Sequence, residues 1–153
     1  MTLKKSDIAA QVEKEHECIK RDMGLIQKEI TQDVPAEEFA EWRLEFMWRL
    51  RDFRLHLLKH FDLEEAGGFM KEILNEAPQS MNSVKKLEAE HEEIVAELDE
   101  ILTTLKQMEL KDDAKMAEVR TRVLNFLTAI RKHEAAENEL IAMVYCQEYG
   151  YPS

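Results

Sequence analysis

The chain has 153 residues and 44% hydrophobic side chains, enough to bury a sizeable core in one domain, expected over 1–153. Four Gly and three Pro against 35% charged residues leave too few turn-formers for a many-stranded sandwich or barrel, so a few long helices are expected. The net charge of −11 repels a phosphate backbone, which argues against nucleic acid as a partner. The nearest cationic cluster, Arg43, Arg49, Arg51, Arg54 and Lys59, is interleaved with Glu41, Glu45 and Asp52 and reads as a solvated helix face.

In chain order, the start MTLKKSDIAAQVEKEHE lacks the continuous apolar core of a signal peptide. No apolar run approaches the ~20 residues of a membrane span, so a cytoplasmic protein with no membrane partner is expected. The first helix is predicted over 7–30, with an inward stripe of Ile8, Val12, His16, Ile19, Met23, Ile26 and Ile30. A break at 31–35 follows, where Asp33 can cap a second helix and Pro35 suits its first turn. That helix is predicted over 36–66, with the stripe Phe39, Trp42, Phe46, Leu50, Phe53, Leu57, His60 and Glu64.

Gly67-Gly68 reads as a C-cap, followed by a short apolar stretch from Phe69 to Leu74 and then Pro78. The third helix, over 80–108, carries Val84, Leu87, His91, Ile94, Leu98, Ile101, Leu105 and Met108 in an unbroken alternation of three and four. Asp112 or Asp113 can cap the fourth, over 113–147, with Met116, Val119, Val123, Phe126, Ile130, His133, Glu137, Leu140 and Val144 inward. Gly150 and Pro152 close a short tail. The pattern predicts an all-α, up-down-up-down antiparallel four-helix bundle with at least one His pointing inward from every helix.

One buried imidazole is an ordinary core residue; four in register with two carboxylates are not. Their burial without partners costs several kcal/mol, and divalent cations remove that cost. Imidazole with carboxylate suits iron, manganese or zinc, and the lack of thiolate argues against structural zinc or an iron-sulfur site. His60 and Glu64 are four apart, as are His133 and Glu137, so each pair shares a helix face. With His16 and His91, the economical arrangement is two ions, each with two imidazoles, bridged by Glu64 and Glu137.

Helix heights support half of this set directly. His91 and His133 lie about equally far from the turn that joins their helices, whereas His16 and His60 are mismatched by roughly 15 Å at 1.5 Å per residue. Their meeting requires either a second helix that overhangs the end of the first or a longer connection between them.

The run His60-Phe61-Asp62-Leu63-Glu64-Glu65, with a His on the first helix, Glu90-His91-Glu92 and His133-Glu134-Ala135-Ala136-Glu137, resembles the hemerythrin-like, HHE cation-binding family. The resemblance spans about His16 to Tyr145. It implies a bundle around two non-haem irons, oxo- or hydroxo-bridged, with zinc or manganese as substitutes. His16, His60, His91 and His133 match the family's terminal ligands, and Glu64 and Glu137 its bridging carboxylates.

Oxygen-carrying members have a further His where this chain has Leu87, and a five-residue rather than four-residue His-to-carboxylate spacing in the last helix. The four-His pattern is similar instead to HHE proteins linked to iron sensing, nitric-oxide response or iron-sulfur repair. A small ligand such as dioxygen, peroxide or nitric oxide is the implied partner. Whether the protein is an enzyme stays open, no protein partner is indicated, and the lack of an output domain favours a stand-alone protein or subunit. A reversible oxygen carrier and a metal-free structural bundle are the alternative readings.

Other residues have plainer readings. His56, one turn before His60, is a candidate replacement ligand and otherwise a half-exposed surface residue. Cys18 and Cys146 lack CxxC spacing and read as reduced thiols. Tyr145 and Tyr149 read as covers of the bundle end, with hydrogen bonding near the site or electron relay as the alternative. Trp42, Phe46, Met47 and Phe53 read as core.

Overall fold

A computed structural model of the chain describes residues 5–145. Cys146, Tyr149, Gly150, Pro152 and the expected helix end at Gln147 lie outside the described residues. Helix α1, Asp7–Ile30, starts where the Ser6 hydroxyl accepts a hydrogen bond from the Ala9 amide at 3.1 Å. Helix α2, Phe39–Glu64, begins later than the expected 36 because Ala36–Glu38 forms a single 3₁₀ turn. Pro35 is extended there, and Asp33 caps nothing; its carboxylate faces Lys111 at 3.8 Å.

At its other end α2 stops at Glu64 rather than 66, because the glycine pair turns the chain. The Gly67 N–H donates to the Asp62 carbonyl at 2.9 Å, and Gly68 takes the left-handed φ of 97°. The apolar stretch after it is a short helix, α3, Phe69–Glu76, which closes one end of the bundle with Phe69, Met70 and Ile73. A 3₁₀ turn, Pro78–Ser80, leads into α4, Met81–Gln107. Asp112 caps α5, Asp113–Tyr145, accepting from the Ala114 and Lys115 amides at 3.0 and 3.1 Å.

The four long helices pack antiparallel, with α1 and α4 each lying against both α2 and α5. Two apolar layers fill the interior. The larger is built from residues such as Met23, Phe46, Phe53, Leu98 and Phe126, and the smaller from Val12, Ile73, Val84, Leu87 and Ile141. The inward His and Glu side chains lie on the helix faces between these layers. No helix among the described residues is long and apolar enough to cross a membrane.

The height mismatch between His16 and His60 is resolved by overhang. Glu29, near the end of α1, pairs with Arg49, about ten residues into α2. The start of α2 therefore runs past α1 and packs beside the end of α4, where Arg43 donates to the carbonyls of Leu105 and Lys106 at 3.2 and 3.0 Å. The C-terminal end of α1 is held by α5, whose Arg120 donates to the Ile30 carbonyl at 3.0 Å.

Two glycine substitutions test the local geometry. A Cβ on Gly67 would lie 2.3 Å from the Leu63 carbonyl oxygen, whereas one on Gly24, inside α1, meets nothing within 4 Å. Gly67→Ala should lower stability by about 1–3 kcal/mol in urea unfolding, and Gly24→Ala should leave it unchanged or raise it by up to about 1 kcal/mol. Equal effects at the two positions would contradict the turn described here.

Candidate metal centre

The four long helices bring six side chains together. His16 (α1), His60 and Glu64 (α2), His91 (α4), and His133 and Glu137 (α5) are all buried, and the two carboxylates have no exposed surface. The i, i+4 spacing does the local work on α2 and α5: His60 Nε2 lies 3.2 Å from Glu64 Oε2, and His133 Nε2 lies 3.2 Å from Glu137 Oε2.

The carboxylate oxygens are divided between two pairs of imidazoles. Glu64 Oε2 faces His60 and, at 4.0 Å, His16; Glu64 Oε1 faces His91 at 3.0 Å and His133 at 4.0 Å. Glu137 Oε1 lies 2.9 Å from His16 Nε2 and 3.8 Å from His60 Nε2, while its Oε2 faces His133. Two ligand sets result, His16-His60-Glu64-Glu137 and Glu64-His91-His133-Glu137, with the donor atoms of each set within 4.8 Å of one another.

These residues suit a cation. Nε2 of His60, His91 and His133, both oxygens of Glu64 and Oε2 of Glu137 are buried without a hydrogen-bond partner, despite their short separations. Polar atoms left this way cost several kcal/mol, and a cation among them supplies the missing partner.

The outer ring nitrogens form a circuit that sequence reasoning missed. Each Nδ1–H donates to an oxygen on another helix or its cap. His60 donates to Glu15 at 2.8 Å, His91 to Glu65 at 2.6 Å, His133 to Glu90 at 2.8 Å, and His16 to Asn138 at 2.9 Å. Every inward imidazole thus has its Nε2 turned to the carboxylates and its ring fixed from behind. A signal existed in the sequence: Glu15 and Glu90 each precede an inward His, while Glu65 and Asn138 each follow an inward Glu.

Glu134, beside His133 in the family-like run, is a further residue of the layer that sequence reasoning missed. It is 7% exposed, its Oε2 has no partner, and burial pushes its carboxyl up to about 7 against the charges of His16 and His60. His56 is not brought into the layer. Its imidazole sits at the surface, with Nδ1 3.1 Å from Asp22. Cys18 is exposed, and Tyr145 donates to Glu72 at the α3 end of the bundle. Leu87 is buried in the smaller apolar layer. Trp42 stacks on Phe46 as core, as expected.

The family model of the hemerythrin HHE cation-binding domain matches residues 7–145, so the chain belongs to that family. No curated protein and no solved structure matches it. Family membership and the buried His and Glu groups together mark the layer as a metal-cation site.

Without a cation the layer holds protons instead. Burial opposes charge on His60, but the Glu137 and Glu64 carboxylates beside its Nε2 outweigh it and raise the imidazole to about 11. The same balance, with Glu137 as the main partner, raises His133 to about 10 and also raises His16. Burial pushes Glu137 up, yet its close neighbours, Glu64 and the imidazoles of His133, His16 and His60, hold it well below the usual carboxylate range. A raised histidine stabilises the fold while protonated. That contribution is complete below the ordinary value of 6.5 and disappears as pH passes 10 to 11. Chelator-stripped protein should therefore lose melting temperature between pH 6.5 and 10, while its affinity for a divalent cation rises over the same range as protons cease to compete. A metal-free melting temperature that climbs with pH across that window would contradict this picture.

Proposed function

We propose that the protein is a non-haem di-iron protein that reacts with or senses a small oxidant, dioxygen, peroxide or nitric oxide. The observation that carries this reading is the division of the Glu64 and Glu137 oxygens between two imidazole pairs. A carboxylate so placed can bridge two ions, and four imidazoles leave each ion two nitrogen ligands. His16 and His60 would hold one ion and His91 and His133 the other. Iron is favoured by the family resemblance, and zinc or manganese fit the same donors. When bound, such a pair supplies redox chemistry with a small ligand.

The chain's own part is to hold, orient and admit. The circuit of Nδ1 hydrogen bonds keeps each imidazole neutral at Nε2 and aimed inward when a cation replaces the proton. Phe61 stacks on His91, with ring centroids 4.0 Å apart, and covers that side with apolar surface. Two surface clefts of about 590 Å³ reach the layer. One lies between α2 and α4 and ends on Glu65 and His91; the other, between α1 and α2, ends on Glu15 and His60. Both bring a small ligand as far as the outer side of these two histidines.

Leu87 favours oxidant chemistry over reversible carriage. It occupies the position of an additional imidazole in oxygen-carrying relatives and is packed in an apolar layer, and the surface placement of His56 does not compensate for it. Fewer protein ligands leave a position open to an oxidant.

Anaerobic loading of the metal-free chain with ferrous iron, followed by metal analysis, should give two ions per chain. Glu64→Ala and Glu137→Ala should each lose at least one and melt below loaded wild type, whereas His56→Ala should keep both. On exposure to air the loaded protein should oxidise irreversibly, and Leu87→His should slow that oxidation. A maximum of one ion in wild type would sink the dinuclear reading, and oxygen uptake that reverses under vacuum would restore the carrier.

A further inference from the structure

We infer that the two metal positions are unequal, the one facing His91 and His133 binding its divalent cation more tightly than the one facing His16 and His60. This rests on the two-position reading above but not on the identity of the metal.

The inequality comes from the outer hydrogen bonds. Across the two helix pairs the layer is nearly twofold symmetric: Glu15-His16 on α1 corresponds to Glu90-His91 on α4, and His60-Glu64 on α2 to His133-Glu137 on α5. The correspondence fails at Glu134, which follows His133 where Phe61 follows His60, and, among the residues that hold the rings from behind, at one place. Glu65 follows Glu64, but Asn138 follows Glu137. Three imidazoles therefore donate Nδ1–H to a carboxylate, and His16 alone donates to a neutral amide oxygen.

A carboxylate acceptor draws the Nδ1 proton toward itself and leaves more electron density on Nε2, the atom that faces the cation. A hydrogen bond to an ionised acceptor is roughly twice as strong as one to a neutral acceptor. The position at His91 and His133 has two imidazoles strengthened in this way, through Glu65 and Glu90. The position at His16 and His60 has one, through Glu15. The distances follow the same order: His91 to Glu65 is the shortest of the four at 2.6 Å, and His16 to Asn138 the longest at 2.9 Å. Loss of an outer partner of this kind typically changes metal affinity by about 10–100-fold. Glu134 is the opposing influence, since its buried carboxyl interacts with His16 and His60 ahead of His133, but it hydrogen-bonds none of these rings and acts on them only through space.

Titration of the metal-free full chain with cobalt(II), followed by visible absorption and calorimetry, tests this. Two binding steps separated by about 10–100-fold are expected. His16→Ala should remove the weaker step and His91→Ala the tighter one. Asn138→Asp, which keeps shape and adds the missing charge, should strengthen the weaker step until the two merge. Glu65→Gln should merge them by weakening the tighter step. Circular dichroism of each variant confirms that the helices remain, and a purely structural role for Asn138 would not produce a gain in affinity on conversion to Asp.

Two equal steps that neither variant moves would overturn the inference while leaving the dinuclear reading intact. So would a shift in the order of filling produced by Glu134→Gln but not by the Asn138 or Glu65 variants. If the chain binds only one cobalt, the dinuclear reading fails and the inference, which rests on it, fails with it. Binding of no cobalt overturns both.

Discussion

Two carboxylates with no exposed surface, Glu64 and Glu137, set the terms for the rest of the molecule. Two such charges at the centre of a helical bundle repel each other and have left water behind, so the fold must supply positive charge within a few ångströms. It supplies four imidazoles, one from each long helix. When these carry protons the layer is an ion cluster; when they do not, it is a cation site. Both states answer the same electrostatic demand, which is why pH, metal loading and stability are one problem here.

The bundle architecture serves that layer. A larger apolar layer on one side and a smaller one closed by α3 on the other contribute the apolar burial that offsets the cost of desolvating polar groups between them. The circuit of hydrogen bonds from Glu15, Glu65, Glu90 and Asn138 links each histidine to another part of the bundle, so that no imidazole can turn without breaking a contact between elements. The overhang of α2 beyond α1 has the same purpose in effect: it slides His60 to the height of His16, where their ring centroids are 5.0 Å apart.

Much of this was legible in the residues. The inward stripes of all four long helices were readable because a spacing of three and four admits only one buried face, and the polar interruptions in those stripes fall at the positions that meet. The start of α2 was read three residues early because Asp33 and Pro35 have the composition of a helix start, whereas a 3₁₀ turn forms first and Asp33 turns to Lys111. The stretch after the glycines was too short to show a helical period, and its helix, α3, depends on packing against the bundle end. Glu15, Glu65, Glu90, Asn138 and Glu134 were missed for a different reason. Each lies beside a recognised residue and has the composition of a solvated helix face, and only the helix arrangement shows that four of them reach across to a histidine on a neighbouring element.

The central claim is that Glu64 and Glu137 span two ions rather than flanking one. A crystal structure of the anaerobically iron-loaded protein, with anomalous difference maps collected at the iron edge, tests it most directly. The account predicts two peaks about 3.5–4 Å apart, one beside His16 and His60 and one beside His91 and His133, with a carboxylate oxygen of each Glu on either peak. A single peak shared by all four imidazoles, or iron located away from Glu64 and Glu137, would contradict it.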